Sequence, residues 1–184
     1  MPLTGSQGRK ASLTPSPRVS VRLGFDWPGV RPGEFKGRRI SPAQLVLLLL
    51  DAGRVSGRTT FQKQVFLSYR EVFGTRAVID PGFRPDRFGP YSQLVADLPP
   101  LLRAGGWIRI QARGEGRSTY AISPRGVDDV STLLRDRSLE DRFKVLLQKK
   151  ASWDEWSTKG ILHYVYRNYP EFATRTAIPS MIWE

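Results

Sequence analysis

Trp107-Ile108-Arg109-Ile110-Gln111-Ala112-Arg113-Gly114-Glu115-Gly116-Arg117-Ser118-Thr119-Tyr120-Ala121-Ile122-Ser123-Pro124 is the stretch that decides the fold. Residues 107–111 and 118–122 are rich in β-formers, and the segment between them holds Gly114 and Gly116, so it predicts a hairpin with a glycine tip. Ser123-Pro124 joins a side-chain cap to a proline at the first helical position. It opens a helix through Val127, Val130, Leu133 and Leu134.

Upstream, Gly105-Gly106 stops a helix that Gly89-Pro90-Tyr91-Ser92 begins, with Ser92 or Tyr91 near the cap. Leu94, Val95, Leu98, Leu101 and Leu102 form its expected buried stripe. Pro99-Pro100 interrupts this pattern, so the helix either breaks at Leu98 and restarts or kinks. Before it, residues 78–88 hold Pro81, Gly82 and Pro85 and predict a connection. Gly57-Arg58-Thr59-Thr60 opens another helix whose apolar face is Phe61, Val65, Phe66, Tyr69, Val72 and Phe73, with Gln62, Lys63 and Arg70 largely away from it. Ser41-Pro42 starts a first helix that carries the apolar run 43–50 and ends at Gly53.

Helix, helix, helix, hairpin, helix is the order of a winged helix-turn-helix. The expected fold is therefore mainly α (α+β), with appended C-terminal helices and a basic N-terminal arm. The domain plan is 1–40 for the arm, with a short strand near Val19, Val21 and Leu23; 41–137 for the winged helix; and 138–184 for the helical extension. In that extension Leu139, Phe143, Leu146 and Leu147 form an amphipathic face, with Lys144, Lys149 and Lys150 outside it. A further helix through Ile161, Leu162, Val165 and Tyr166 ends before Pro170. Such helices suit a protein partner or a homodimer, and the apolar tail Ile178, Met181, Ile182 and Trp183 suits docking.

Composition narrows the chemistry. The 184 residues carry 29 Lys+Arg against 17 Asp+Glu, a net charge of +12, with no cysteine and one histidine, His163. Thiol nucleophiles, disulfides and zinc fingers are excluded, as are multi-histidine metal sites. The run 45–50 is far shorter than the roughly 20 residues of a membrane span. The expectation is a soluble cytoplasmic protein with no membrane contact. Residues 1–40 hold eight cations and two acids, so half the net charge lies in the first fifth of the chain. Such a segment attracts polyanions because each neutralised phosphate releases condensed counterions. No nucleotide-binding glycine loop and no Gly-x-Ser-x-Gly elbow is present. Asp80, Asp86 and Asp97 are dispersed among prolines rather than clustered for magnesium. The chain therefore reads as a non-enzyme with no cofactor and no metal.

The exit Tyr120-Ala121-Ile122-Ser123-Pro124-Arg125-Gly126 resembles the Tyr-x-Leu-Thr-Pro-x-Gly exit from the wing in many winged-helix transcription regulators. Gly57-Arg58-Thr59-Thr60-Phe61-Gln62-Lys63, Phe88-Gly89-Pro90-Tyr91-Ser92 and Tyr164-Val165-Tyr166-x-x-Tyr169-Pro170-Glu171-Phe172 together resemble the YwgA-like proteins of bacteria and archaea. These are similar in turn to the Panacea, or SocA-like antitoxin, domains, which share the Gln-Lys helix and the Gly-Pro turn. The resemblance covers roughly residues 41–178. It implies a winged-helix fold and a regulator or antitoxin-like role.

In a conventional winged helix the third helix enters the major groove and the wing touches the backbone or minor groove. The outward third-helix candidates are Gln93, Asp97 and Arg103, with Ala96 and Pro100 between them; Gln93 suits adenine, and the face carries only one cation and one anion. The phosphate candidates are Arg58, Lys63 and Arg70 on the second helix, Arg84 and Arg87 in the connection, Arg113 and Arg117 at the wing, and Arg38 and Arg39 in the arm. The expected function is nucleic-acid binding, DNA or RNA, chiefly through phosphates, as a transcriptional regulator or antitoxin-like factor. The alternative is a non-enzymatic adaptor for a protein or ribonucleoprotein.

Overall fold

Ser41 begins the folded body as its sequence requires. Its hydroxyl accepts from the Gln44 N–H and the Gln44 side chain accepts from the Ser41 N–H, closing a capping box ahead of helix α1 (Pro42–Asp51). In the computed structural model, which describes residues 39–114 and 117–177, α1 is the central helix. Residues 45–50 are at most 2% exposed because α1 is packed on several sides by other elements. The expected N-terminal strand, Arg38, Glu115, Gly116, the Arg113 side chain and the apolar tail from 178 lie outside the described residues.

Strand β1 (Val55–Ser56) leads through Gly57 into α2 (Arg58–Leu67). The second helix does not continue to Phe73 in one form, because its last six residues, Ser68–Phe73, wind as a π-helical turn closed by Gly74 at φ +76°. Ser68 donates its hydroxyl to the Gln64 carbonyl at 2.7 Å, a back-bond that competes with the regular ladder where the register changes.

The connection that follows is more ordered than its prolines suggest. Ile40 and Val78 form an isolated parallel bridge, and β2 (Arg84–Asp86) pairs antiparallel with β3 (Gly89–Tyr91). Ser92 then caps α3 (Gln93–Ala104), its hydroxyl accepting from the Val95 N–H. This helix passes through Pro99 and Pro100 without breaking. Leu101 is not in the buried stripe: it is 54% exposed, while Val95, Leu98 and Leu102 face the core.

β4 (Ile108–Arg113) and β5 (Arg117–Ile122) form the expected hairpin, in register from Ile108↔Ile122 to Arg113↔Arg117. β1 adds to the far edge through Val55↔Tyr120 and Ser56↔Thr119, giving the sheet order β1-β5-β4. Ser123 caps α4 (Pro124–Leu133) through the Gly126 N–H and donates its own hydroxyl to the Gly106 carbonyl, which ties the hairpin's exit to its entry. A Cβ on Gly126 would lie 2.4 Å from the Trp107 carbonyl oxygen, so only glycine fits at this crossing.

α5 (Arg137–Glu155) lies against the π-helical turn and α1, and α6 (Thr158–Asn168) lies against α2. Within α5, Lys150 is fully buried rather than outside, and Leu147 is 43% exposed rather than part of the core. The Lys150 ammonium bonds both Asp154 carboxylate oxygens at 2.6 Å and the Arg54 carbonyl at 3.2 Å. The described chain is thus mainly helical with two small antiparallel sheets, an α+β fold. None of its described helices is long and apolar enough to cross a membrane.

Candidate nucleic-acid interface

The Gln-Lys pair and the Gly-Pro turn, far apart in sequence, meet inside the protein. Residues 61–67 of α2 are all buried, because α1, α3, α6 and β3 surround the helix, so no polar face is left over. Gln62 donates to the Ser92 carbonyl at 3.0 Å and accepts from the Ser92 N–H at 3.1 Å. Lys63, 2% exposed, donates to the Pro90 carbonyl at 2.8 Å. Burial pulls its pKa down from 10.5 to about 7, against an opposing pull from the Asp86 carboxylate. Gly89 closes the contact at φ +78°, since a Cβ there would come 2.9 Å from Tyr166 Cε1 and 3.6 Å from Lys63 Cε.

Lys63 is therefore corrected from a phosphate contact to an internal clamp. It holds the start of α3 against α2, and its ammonium does not reach the surface. Two further cations are also committed within the fold. Arg39 donates to the Thr75 and Val78 carbonyls at 3.0 and 2.8 Å, securing the chain where it enters the body. Arg70 lies over the Phe66 and Tyr169 rings at 5.9 and 5.4 Å and pairs with Glu171 at 3.5 Å. Gln93 is exposed, but its amide donates to Asp97 at 2.8 Å and accepts from the Tyr91 hydroxyl at 3.0 Å, which occupies both ends of the group that would read adenine.

Arg58, Arg84, Arg87, Arg103 and Arg117 are exposed. Two of these, Arg58 and Arg117, are brought together. Pairing of β1 with β5 sets Ser56 beside Thr119, and the Gly57 N–H donates to the Ser118 carbonyl at 2.8 Å. The start of α2 is thereby fixed beside the tip end of the hairpin.

Between them lies a hollow of about 610 Å³ lined by residues 56–60, Arg117, Thr119 and Thr158. No carboxylate is among the described lining residues. Ser56 and Thr119 share a hydroxyl hydrogen bond at 3.0 Å, and Thr60 and Thr158 share another at 3.2 Å. Arg84, Arg87 and Arg103 are not among the lining residues.

The lining hydroxyls were not visible as site residues in the sequence. Thr158 belongs to a segment 98 residues from Thr60, and its only local signal is its position after Ser157, which caps α6 through the Gly160 N–H. Among the described residues no group of acidic or histidine side chains is placed to hold a metal ion. The chain matches no protein-family model and no curated protein.

Proposed function

We propose that this is a winged helix-turn-helix protein that binds nucleic acid chiefly through phosphates, as a transcriptional regulator or antitoxin-like factor. On this reading α1, α2 and α3 are the three-helix body, β4–β5 is the wing, and β1 is the strand that completes its sheet. The observation that carries the reading is the placement of Arg58 and Arg117, from segments 59 positions apart in sequence, around one hollow with no carboxylate among its described lining residues. The net charge of +12 supplies the long-range attraction. The internal clamp of Gln62 and Lys63 on residues 90–92 brings together the Gln-Lys and Gly-Pro stretches on which the resemblance to YwgA-like and Panacea domains rests.

Retention of labelled duplex DNA and single-stranded RNA near physiological salt, about 0.15 M, tests the proposal. One or both should be retained with little sequence preference. Failure to retain either refutes it.

One observation favours the adaptor as a second reading. The outward face of α3 presents Leu101 at 54% exposure beside a Gln93–Asp97 pair already bonded to each other, which suits a protein surface better than base edges. Partners that stay bound after nuclease treatment support this reading, and partners released by nuclease oppose it.

A further inference from the structure

We propose that the hollow seats one phosphate group of the bound nucleic acid, and that Thr158 of α6 is a ligand of that phosphate together with Arg58 and Arg117. The inference rests on the nucleic-acid reading and adds a specific site to it, one that draws on the C-terminal helices as well as the winged part.

The chemistry of the lining carries the assignment. Guanidinium groups only donate, and their planar fork matches two oxygens of a phosphate. Hydroxyls donate or accept, but in each of the pairs Ser56–Thr119 and Thr60–Thr158 one hydroxyl proton is used within the pair. The other proton remains available to an outside acceptor. With no carboxylate among the described lining residues, the hollow offers donors to a ligand that brings several acceptor oxygens. A phosphate is such a ligand, and a volume of about 610 Å³ also admits the sugar attached to it.

The placement of Thr158 gives the site its third wall. Arg58 comes with the β1–α2 junction and Arg117 with β5, both inside the winged part, whereas Thr158 arrives on a helix that packs against α2. Its hydroxyl is held 3.2 Å from that of Thr60, so it faces the same space as the first turn of α2. Ser157, not Thr158, caps α6, so the Thr158 hydroxyl can be removed without losing the helix start.

The test uses the full chain with inorganic phosphate, followed by amide-detected NMR, and in parallel with labelled nucleic acid. Phosphate should shift the amides of residues 57–60 and 158, and Arg58→Ala with Arg117→Ala should abolish those shifts. Thr158→Val should weaken nucleic-acid binding roughly 3- to 10-fold, the range for loss of one hydrogen bond, at an unchanged melting temperature, and Thr158→Ser should restore it. Absence of these shifts, with nucleic acid still bound, overturns the phosphate seat and leaves the nucleic-acid reading standing. Phosphate shifts in a protein that binds no nucleic acid overturn that reading and identify the source as a free phosphate ester. Thr158→Val binding like the native chain removes Thr158 from the site.

Discussion

Lys63→Met should remove a pH dependence of stability that the native chain carries between pH 7 and 10. The Lys63 ammonium is 2% exposed, and burial lowers its pKa from 10.5 to about 7. In the unfolded chain the amine keeps its proton up to its ordinary value, so across this interval the unfolded state binds more protons than the folded one. Stability therefore rises with pH, by about 1.4 kcal/mol per unit. The whole interval is worth up to about 5 kcal/mol. The cost of burying the charge is fully present below pH 7 and is relieved as pH climbs toward 10.5.

Lys150, whose pKa burial also lowers despite its bond to Asp154, adds a slope of the same sign. Burial holds the Tyr69, Tyr164 and Tyr169 phenols above their ordinary value, with Asp80 or Glu71 adding to it. These groups act in the opposite direction, and only as pH approaches 10. Urea unfolding at pH 6, 7, 8 and 9 separates the contributions, because only the Lys63 part disappears in Lys63→Met. Parallel stability curves for the two proteins would refute the buried-charge account.

Other substitutions probe the same clamp and the surface beside it. Gln62→Leu removes both bonds to the Ser92 backbone and leaves a buried N–H and C=O without their side-chain partner. A loss of about 2–4 kcal/mol should appear in the denaturant midpoint. Gly89→Ala, at φ +78° and 2.9 Å from Tyr166, should cost about 2–3 kcal/mol. Gly74→Ala, at φ +76° with nothing within 4 Å, should cost only the backbone share of about 1–2 kcal/mol. Equal melting temperatures for these two glycine variants would contradict the close packing against Tyr166. Leu101→Glu should change stability by less than about 0.5 kcal/mol, since the side chain is 54% exposed. A large loss would place it in the core.

Local signals were legible where the chain itself supplies the partner. Ser41-Pro42 and Ser123-Pro124 start helices because hydroxyl, amide and proline ring all lie within one turn, and β5 pairs back along β4 as the two β-rich runs predict. Polar residues on the helices misled, because periodicity assumes a single buried face. α2 is surrounded, so Gln62 and Lys63 are inside, bonded to backbone groups whose positions depend on a turn some 27 residues away. The same holds for Lys150, drawn inward by Asp154 and the Arg54 carbonyl. Arg39 and Arg70 looked equivalent to Arg58 and Arg117 as charges. The difference between them is tertiary: the first pair meets carbonyls, rings and Glu171, and the second lines one hollow with no carboxylate among its described lining residues. The hollow itself follows from the β1–β5 pairing and from α6 lying on α2, neither of which any local pattern announces.

The salt dependence of nucleic-acid affinity, measured for the native chain and for Arg58→Ala/Arg117→Ala, tests the central claim most directly. Each phosphate contact contributes about one unit to the slope of log K against log salt. The account predicts a steep native slope, a slope shallower by about two in the double variant, and equal melting temperatures. A flat native slope, or identical slopes for the two proteins, would contradict it.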